Sequence, residues 1–199
     1  MAKKEHISSE ETKRAMAFSL KRLMVRKPLD KISIREITEG CGVNRQTFYY
    51  HFRDIYDLLE WMYQQEAVSL LAQYEGVLLW QDGLLQLLRY LRDNRDICLC
   101  ALRSLGHEHL RHFFQQNVYD IIRYTVEDLT RDQDLPQGYE ELMTRFYVSA
   151  LAGVVESWLI GELKRTPEEL VSFADTMLQT HIRGGELSFP KRKTETHQE

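Results

Sequence analysis

The chain has 199 residues, of which 43% are apolar, 10 are Gly and 4 are Pro. A chain of this size can bury a core without disulfides or metal ions, and the scarcity of Gly and Pro disfavours a turn-rich β fold. The odd number of cysteines indicates reduced thiols. The N-terminal residues have no apolar segment, and no apolar run approaches the roughly 18 residues that span a bilayer. We therefore expect a cytoplasmic protein without a membrane partner.

The charge is divided unevenly along the chain. The net charge is −4, yet residues 1–53 contain twelve Lys or Arg and only six Asp or Glu, so the remainder is strongly acidic. A basic segment joined to an acidic body indicates that the basic segment binds a polyanion such as nucleic acid. An accident of surface composition would give the same imbalance, so charge alone leaves both interpretations open.

The first two helices are marked by their N-terminal capping signals. Ser8 and Glu11 form an S-x-x-E capping box, and the apolar residues that follow recur at helical spacing. Pro28 ends this helix, because the proline ring pushes the preceding residue out of helical geometry. Ser33 and Glu36 form a second capping box, which predicts that a short helix begins there.

The third and fourth helices follow a tight turn. Gly40 and Gly42 are predicted to break the second helix, and Asn44 is a suitable N-cap for a third helix over Arg45–His51. Asp54 is placed to cap the fourth helix. Two short helices joined by a turn that contains glycine are typical of a helix-turn-helix unit.

The rest of the chain is also predicted to be helical, and no segment resembles a strand. The fourth helix carries apolar residues as far as Leu70, and residues 132–138 form an interhelical loop. Further helices are predicted over residues 84–91, 97–105, 114–129, 142–163 and 167–183. We therefore predict an all-α fold with a helix-turn-helix DNA-binding domain over residues 1–55, a regulatory and dimerisation body of about six helices over residues 56–183, and a disordered polar tail over residues 184–199.

The third helix has the side chains that major-groove recognition requires. Such a helix places its N-terminal residues nearest the bases. Arg45 can donate a pair of hydrogen bonds to guanine, and Gln46 can form the paired contact to adenine. Thr47, Tyr49 and His51 carry donors that can reach phosphate oxygens. A generic helix with a solvated polar face would show similar residues, so this pattern predicts DNA reading without proving it.

The stretch ISIREITEGCGVNRQTFYYHFRDIYDLL, Ile32 to Leu59, resembles the signature of the TetR family of transcriptional regulators. The resemblance implies a DNA-binding regulator that works as a homodimer on a palindromic operator. It also implies that Ser33 contacts a phosphate, that Arg35 contacts a base or a phosphate, and that Arg45 and Gln46 read the sequence. The complete set of candidate DNA-contacting residues is Ser33, Arg35, Asn44, Arg45, Gln46, Thr47, Tyr49, Tyr50, His51 and Arg53.

The chain departs from the family at the start of the fourth helix. A lysine that grips the DNA backbone is common there, whereas this chain has Ile55, and Arg53 is the residue that can supply the charge instead. Within the family, the run from Arg45 to Tyr63, together with later residues such as Tyr74 and Trp80, resembles regulators of dihydroxyacetone kinase operons. That subgroup includes an activator controlled by a kinase-like partner protein.

A ridge of small residues is the candidate dimer surface. Ser149, Gly153, Ser157 and Gly161 recur every four residues, and such a ridge lets a second helix approach closely. Close packing inside one subunit is the alternative. In the TetR family the last two helices form the dimer interface, so the resemblance favours the intersubunit interpretation. The candidate interface residues are Ser149, Gly153, Ser157, Gly161, Phe173 and Met177.

The sequence defines the regulation of DNA binding by an effector less well. Aromatic residues of the body could line a ligand cavity, although aromatics at helical spacing are more often part of the core. They are Phe113, Tyr119, Tyr124, Phe146, Tyr147 and Trp158. The effector is either a small molecule or a kinase-like protein co-regulator, and the sequence identifies neither the ligand-binding residues nor the sign of regulation.

Other functions have weaker support. The segment from His107 to His112 resembles a zinc-protease helix, but Arg111 occupies the position where H-E-x-x-H needs its second histidine. We therefore expect no metal, no cofactor and no enzymatic activity. A helical protein–protein adaptor without a DNA role would account for the acidic body, but it would leave the basic N-terminal segment unexplained.

Overall fold

A computed structural model of the chain describes residues 9–69, 80–133 and 135–184. Throughout these ranges the regular structure is helical, which confirms the predicted all-α fold. The helices are α1 (Ser9–Met24), α2 (Ile34–Cys41), α3 (Arg45–His51), α4 (Ile55–Tyr63), α5 (Trp80–Asp93), α6 (Arg95–Leu105), α7 (His107–Asn117), α8 (Tyr119–Thr130), α9 (Tyr139–Ile160) and α10 (Pro167–Gly184).

Two short irregular helices complete the described structure. A 3₁₀ turn, Leu29–Lys31, joins α1 to α2, and a π-helical turn, Gln64–Val68, continues α4. The N-cap predicted at Ser8, the extension of the fourth helix to Leu70 and the tail beyond Gly184 lie outside the described residues. Within the described ranges, none of the helices combines the length and apolar character needed to cross a bilayer.

Helices α1 to α4 pack around one apolar core, and we call this unit the head. The side chains of this core come from all four helices and from the 3₁₀ turn. This shared packing explains how the three short helices α2, α3 and α4 hold their positions. The most deeply buried are Met16, Leu20, Leu29, Ile37, Phe48, Leu58, Leu59 and Met62. The first turns of α4 are therefore part of the head core, so this core continues past residue 55.

A glycine allows α1 and α2 to approach each other closely. A Cβ atom on Gly40 would lie 2.2 Å from Oγ of Ser19, which is buried on α1. The prediction that Gly40 breaks the second helix is wrong, because this residue lies inside α2. The helix ends at Gly42, whose φ of 70° is the left-handed conformation that favours glycine at this position.

The N-terminus of α2 has the predicted capping box and an added ion pair. Ser33 Oγ accepts from the backbone N–H of Glu36, and the Glu36 carboxylate accepts in return from the backbone N–H of Ser33 at 3.0 Å. Lys27 Nζ donates to Glu36 Oε1 at 2.6 Å. Hydrogen bonds from the Lys27 ammonium, the Ser33 hydroxyl and the Ser33 backbone N–H lower the pKa of Glu36 to about 2. The ion pair therefore ties the turn after α1 to the start of α2.

Among the residues that the structure describes, helices α5 to α10 form the body around a second apolar core. The single long helix predicted over residues 114–129 is wrong, because the structure has two helices there, α7 and α8, which meet at Val118 with φ −111° and ψ −18°. No Pro or Gly lies at this break. The side chain of Asn117 instead donates to the Phe113 carbonyl at 2.8 Å, and such a bond offers the backbone an alternative to the helical pattern.

Helix α6 connects the two cores. Its residues Ile97, Cys100 and Ala101 are buried in the head core, whereas Cys98 and Leu99 belong to the body core. The backbone N–H of Leu29, in the 3₁₀ turn, also donates to Oγ of Ser104 on α6 at 3.3 Å. The head and the body are therefore packed against each other through α6.

Replacing Gly40 by Ala should destabilise the protein. Alanine is the better helix former by about 1 kcal/mol, but the added methyl would overlap Ser19 Oγ. Overpacking of a buried contact costs about 1–3 kcal/mol, so we expect a net loss of about 1 kcal/mol in the free energy of unfolding in urea. In the Ser19→Ala background the same change should become neutral or stabilising. Equal losses in both backgrounds would show that this contact does not limit the residue at 40.

The capping carboxylate predicts a pH-dependent stability. The pKa of Glu36 is lowered from 4.5 to about 2 in the folded chain, so the ionised group stabilises the fold above about pH 4.5 and this contribution is lost as the pH falls towards 2. Glu36→Gln should therefore unfold more easily than the wild type at pH 7. The difference should shrink between pH 4.5 and pH 2 in urea titrations followed by circular dichroism. A difference that stays constant over this range would contradict the assignment.

Candidate DNA-binding surface

Helix α3 is anchored at its start and along its inner face. The Asn44 side chain accepts from the backbone N–H of Thr47 at 2.8 Å, which is the N-cap predicted from the sequence. Phe48 is completely buried and Phe52, which ends the helix, is nearly so. Because a helix of two turns has little stability of its own, these contacts fix the direction in which its other side chains point.

The residues predicted to read bases lie on the outer face of this helix. Arg45 and Gln46 are exposed in its first turn, and within the described part of the chain neither side chain has a hydrogen-bond or ion-pair partner. Tyr49 and Tyr50 are also exposed, Tyr50 to 83%. The first turn of α3 thus presents a free guanidinium and a free carboxamide, with two phenol groups one turn further on.

Two of the predicted phosphate contacts already use their hydroxyl groups inside the protein. The Thr47 hydroxyl donates to Asn44 Oδ1 at 3.0 Å, and the Ser33 hydroxyl donates to Glu36 Oε2 at 2.7 Å. Each hydroxyl has one proton, so it can donate to a phosphate only if this internal bond breaks. Asn44 is likewise occupied as a cap through its oxygen, which leaves its amide group as the donor available to DNA.

The candidate arginines outside α3 are exposed and weakly held. Arg35 Nε lies 2.6 Å from Glu39 Oε1, and both side chains are exposed. The carboxylate of Glu39 raises the pKa of Arg35, so the guanidinium stays charged. Arg53 is 84% exposed, with its Nε 3.6 Å from Asp57 Oδ2. Exposed pairs of this kind contribute little to stability, so both arginines can turn towards a polyanion.

His51 and Ile55 lie closer to the head core than the sequence indicates. The His51 ring is half-buried, and burial, together with the nearby charge of Lys13, lowers its pKa, partly offset by Glu10. At neutral pH it is therefore an uncharged imidazole. Ile55 packs against the head core, so this side chain cannot replace a backbone-gripping lysine. Tyr56, which the sequence analysis did not single out, is half-exposed on the same turn.

The body contains a small apolar cavity. Its volume is about 40 Å³, which is room for only a few water molecules. Phe113, one of the aromatic residues considered for a ligand cavity, lies in its wall, whereas Tyr124 and Phe146 are 53% and 60% exposed and cannot line it. Burial lowers the pKa of His109, another wall residue. The lining residues are Tyr63, Ala67, Leu91, Cys98, Ala101, Leu102, His109, Leu110, Phe113 and Leu159.

The small-residue ridge lies on the outside of the body. Ser149 and Gly153 are exposed on α9, and a Cβ atom on Gly153 would meet nothing within 4 Å. Gly161 is not part of the helix: with φ 93° it forms the left-handed C-cap of α9, so a conformational requirement accounts for glycine at this position. On α10, Phe173 and Met177 are 56% and 47% exposed one turn apart.

The histidine-rich segment of α7 does not assemble into a metal site among the residues that the structure describes. No group of three or more His, Cys, Asp or Glu side chains there is placed to hold a metal ion. Glu108 is instead hydrogen-bonded to Arg111 along the same helix, with both groups exposed. Cys41, Cys98 and Cys100 are free thiols, and burial raises the pKa of Cys98 to about 12.

Comparison with known proteins places both halves of the chain in one family. The family model described as "Bacterial regulatory proteins, tetR family" matches residues 20–62, which include α2, α3 and most of α4. The TetR-type model described as "Transcriptional regulator C-terminal region" matches residues 79–180, more than half of the chain. The two matched regions correspond to the head and the body.

Two similar proteins carry related names. The HTH-type dhaKLM operon transcriptional activator DhaS of Lactococcus lactis subsp. lactis (strain IL1403) is 33% identical over 84 residues, which are 42% of this chain and 45% of that protein. The chain thus matches less than half the length of this relative. A solved structure, "Dihydroxyacetone kinase operon activator DhaS", superposes with a TM-score of 0.68 at 24% identity and covers 86% of this chain and 96% of its own, which shows a shared fold.

The exposed polar face of α3, the helix-turn-helix geometry and the two family matches agree with one another. They favour a regulator over a helical adaptor or an enzyme. The chain therefore belongs to the TetR family of transcriptional regulators, whose members are regulators and not enzymes.

Proposed function

We propose that this regulator binds a palindromic operator as a homodimer, with α3 of each subunit in the major groove. The observation that carries the proposal is the division of α3 into a buried and an exposed face: Phe48 is inaccessible, whereas Arg45 and Gln46 are exposed without partners in the described structure. Arg45 then reads guanine and Gln46 reads adenine. The head is the DNA-reading unit of this proposal, and the body is its regulatory and dimerisation unit.

The proposed phosphate contacts surround this reading turn. Arg35 and Arg53 exchange their carboxylate partners, Glu39 and Asp57, for phosphate oxygens, and the phenol groups of Tyr49 and Tyr50 donate to the same backbone. Ser33 and Thr47 contribute when their capping hydrogen bonds rearrange. His51 contributes as an uncharged donor, because its pKa is lowered. Such contacts fix the position of the head and carry no sequence information of their own.

The proposed dimer is formed by α9 and α10 of two subunits. Ser149 and Gly153 leave a shallow, exposed strip on α9, and helices approach each other most closely where side chains are small. Phe173 and Met177 add exposed apolar area on α10. A two-fold dimer implies a palindromic site, with reading helices about 34–36 Å apart so that each meets the same face of the duplex.

The proposed switch acts through the body. An effector must bind one arrangement of the two heads more tightly than the other. The apolar cavity is small as it stands, so a small-molecule effector has to enlarge it, whereas a kinase-like protein co-regulator could act from the surface. The relative named as an activator of a dhaKLM operon supports activation of a dihydroxyacetone kinase operon as the first target to examine.

The reading turn can be tested by truncating its guanidinium. Arg45→Ala should weaken binding to a duplex selected from random DNA by about 1–3 kcal/mol and relax the preference at one base pair in each half-site. His51→Ala should instead weaken all sequences alike. Fluorescence anisotropy with the selected duplex and its single-base variants measures both effects.

The matched control for this experiment is Arg111→Ala. Arg111 is an exposed arginine on α7 of the body, so the substitution removes the same charge at a site away from the reading turn. If Arg45→Ala and Arg111→Ala gave the same base preferences as the wild type, α3 would not be the element that reads the operator.

The dimer surface can be tested by filling the strip on α9. Gly153→Leu places a branched side chain where the partner helix is proposed to lie, and overpacking of about 1–3 kcal/mol corresponds to a loss of roughly fivefold to 150-fold in dimer affinity. Sedimentation velocity over a concentration series measures the monomer fraction. Gln116→Leu, at an exposed position on α7, is the control and should leave the dimer intact. An unchanged dimer in Gly153→Leu would place the interface elsewhere.

A further inference from the structure

The π-helical turn that follows α4 carries a carboxylate bonded to both the head and the body. Lys21 Nζ, on α1 of the head, donates to Glu66 Oε2 at 2.6 Å. The Tyr90 hydroxyl, on α5 of the body, donates to the same oxygen at 2.9 Å. One oxygen atom thus receives hydrogen bonds from two elements that belong to the two different cores.

This group of three side chains is more protected than the surface ion pairs of the chain. The Lys21 and Glu66 side chains are 21% and 34% exposed, and Lys21 Nζ lies 5.8 Å from the centre of the Tyr90 ring. Burial and the neighbouring carboxylate raise the pKa of Tyr90 well above its usual value, so the phenol keeps the proton that it donates. Charge-assisted hydrogen bonds in such surroundings are stronger than exposed ion pairs.

The same turn also forms part of the cavity wall. Ala67 is fully buried and lines the cavity, as does Tyr63 at the end of α4. A π-helical turn is rare and is frequently found at functional sites. Because Glu66 and Ala67 are neighbours in this turn, an expansion of the cavity that displaces Ala67 must also move the carboxylate that holds Lys21.

A displacement of Lys21 reaches the reading helix through packed contacts. Leu20, the neighbour of Lys21 on α1, is fully buried in the head core together with Ile37 of α2 and Phe48 of α3. Ser19 lies directly against Gly40 of α2. Close-packed cores transmit such shifts because they contain little free volume. Helix α1, which carries Lys21, is therefore packed in the same core as α3.

We propose that Glu66 is a positioning residue for DNA binding: by bonding Lys21 and Tyr90 together it fixes the angle between head and body, and hence the distance between the two reading helices of a dimer. This inference rests on the proposed function and adds the contact through which the body controls the heads. The packing of α6 against the head joins the two units by a second route, so loss of the carboxylate loosens the angle without separating them.

The test compares operators that differ in half-site spacing. The binding of Glu66→Gln, Tyr90→Phe and Lys21→Met is measured against the selected operator and against versions with one base pair inserted or removed at the centre. The wild type should show a sharp optimum. In Glu66→Gln the affinity for the best spacing should fall roughly tenfold, as expected for the loss of charge-assisted hydrogen bonds, and the difference between spacings should become smaller. A role in stability alone would lower the melting temperature and leave the spacing preference unchanged.

The control is Glu108→Gln, which removes one carboxylate from an exposed ion pair on α7. It should change neither the affinity for the best operator nor the preference between spacings. If Glu66→Gln does not fold, Tyr90→Phe decides, because it removes only the hydroxyl and should broaden the spacing preference in the same direction. A wild-type spacing profile in every folded variant would overturn the assignment of Glu66. Failure of the wild type itself to bind any duplex would instead reject the proposed function.

Discussion

The burial of Phe48 under α3 determines what the rest of the head can do. This side chain is fully buried in the head core, which residues of α1, α2 and α4 also form, and its inward position leaves Arg45 and Gln46 facing outwards. Seven residues cannot hold a helix in water without such tertiary support. The chemistry of the DNA-binding surface therefore depends on an apolar contact that itself touches no DNA.

The same core explains why the head and the body act as one structure. Side chains of α6 complete the head core, and Glu66, in the π-helical turn after α4, bonds to both the head and the body. A regulator needs such continuity, because an effector can change DNA affinity only by favouring one arrangement of the heads. The structure places the cavity, the π-helical turn and the junction next to one another.

Local signals in the sequence predicted most of the head correctly. Ser33, Asn44 and Asp54 cap the helices that they were predicted to cap, because capping depends on residues only three positions apart. The prediction failed at Gly40, which lies inside α2 at a point where Ser19 of α1 packs too closely for a Cβ atom. The break at Val118 was missed because no Pro or Gly marks it in the sequence; a hydrogen bond from the Asn117 side chain to the Phe113 carbonyl accompanies it.

The candidate site divides in the same way. The outward direction of Arg45 and Gln46 follows from helical spacing. Only the folded chain shows that the Ser33 and Thr47 hydroxyls are used in capping, and that Lys21 bonds to Glu66, 45 residues away.

The central claim is that α3 reads base-pair edges as part of a dimer, and selection from a random duplex pool tests it directly. We expect a salt-sensitive, two-fold symmetric site with half-sites about one helical turn apart; a pool without enrichment, or one enriched for a single unsymmetrical half-site, would contradict the account.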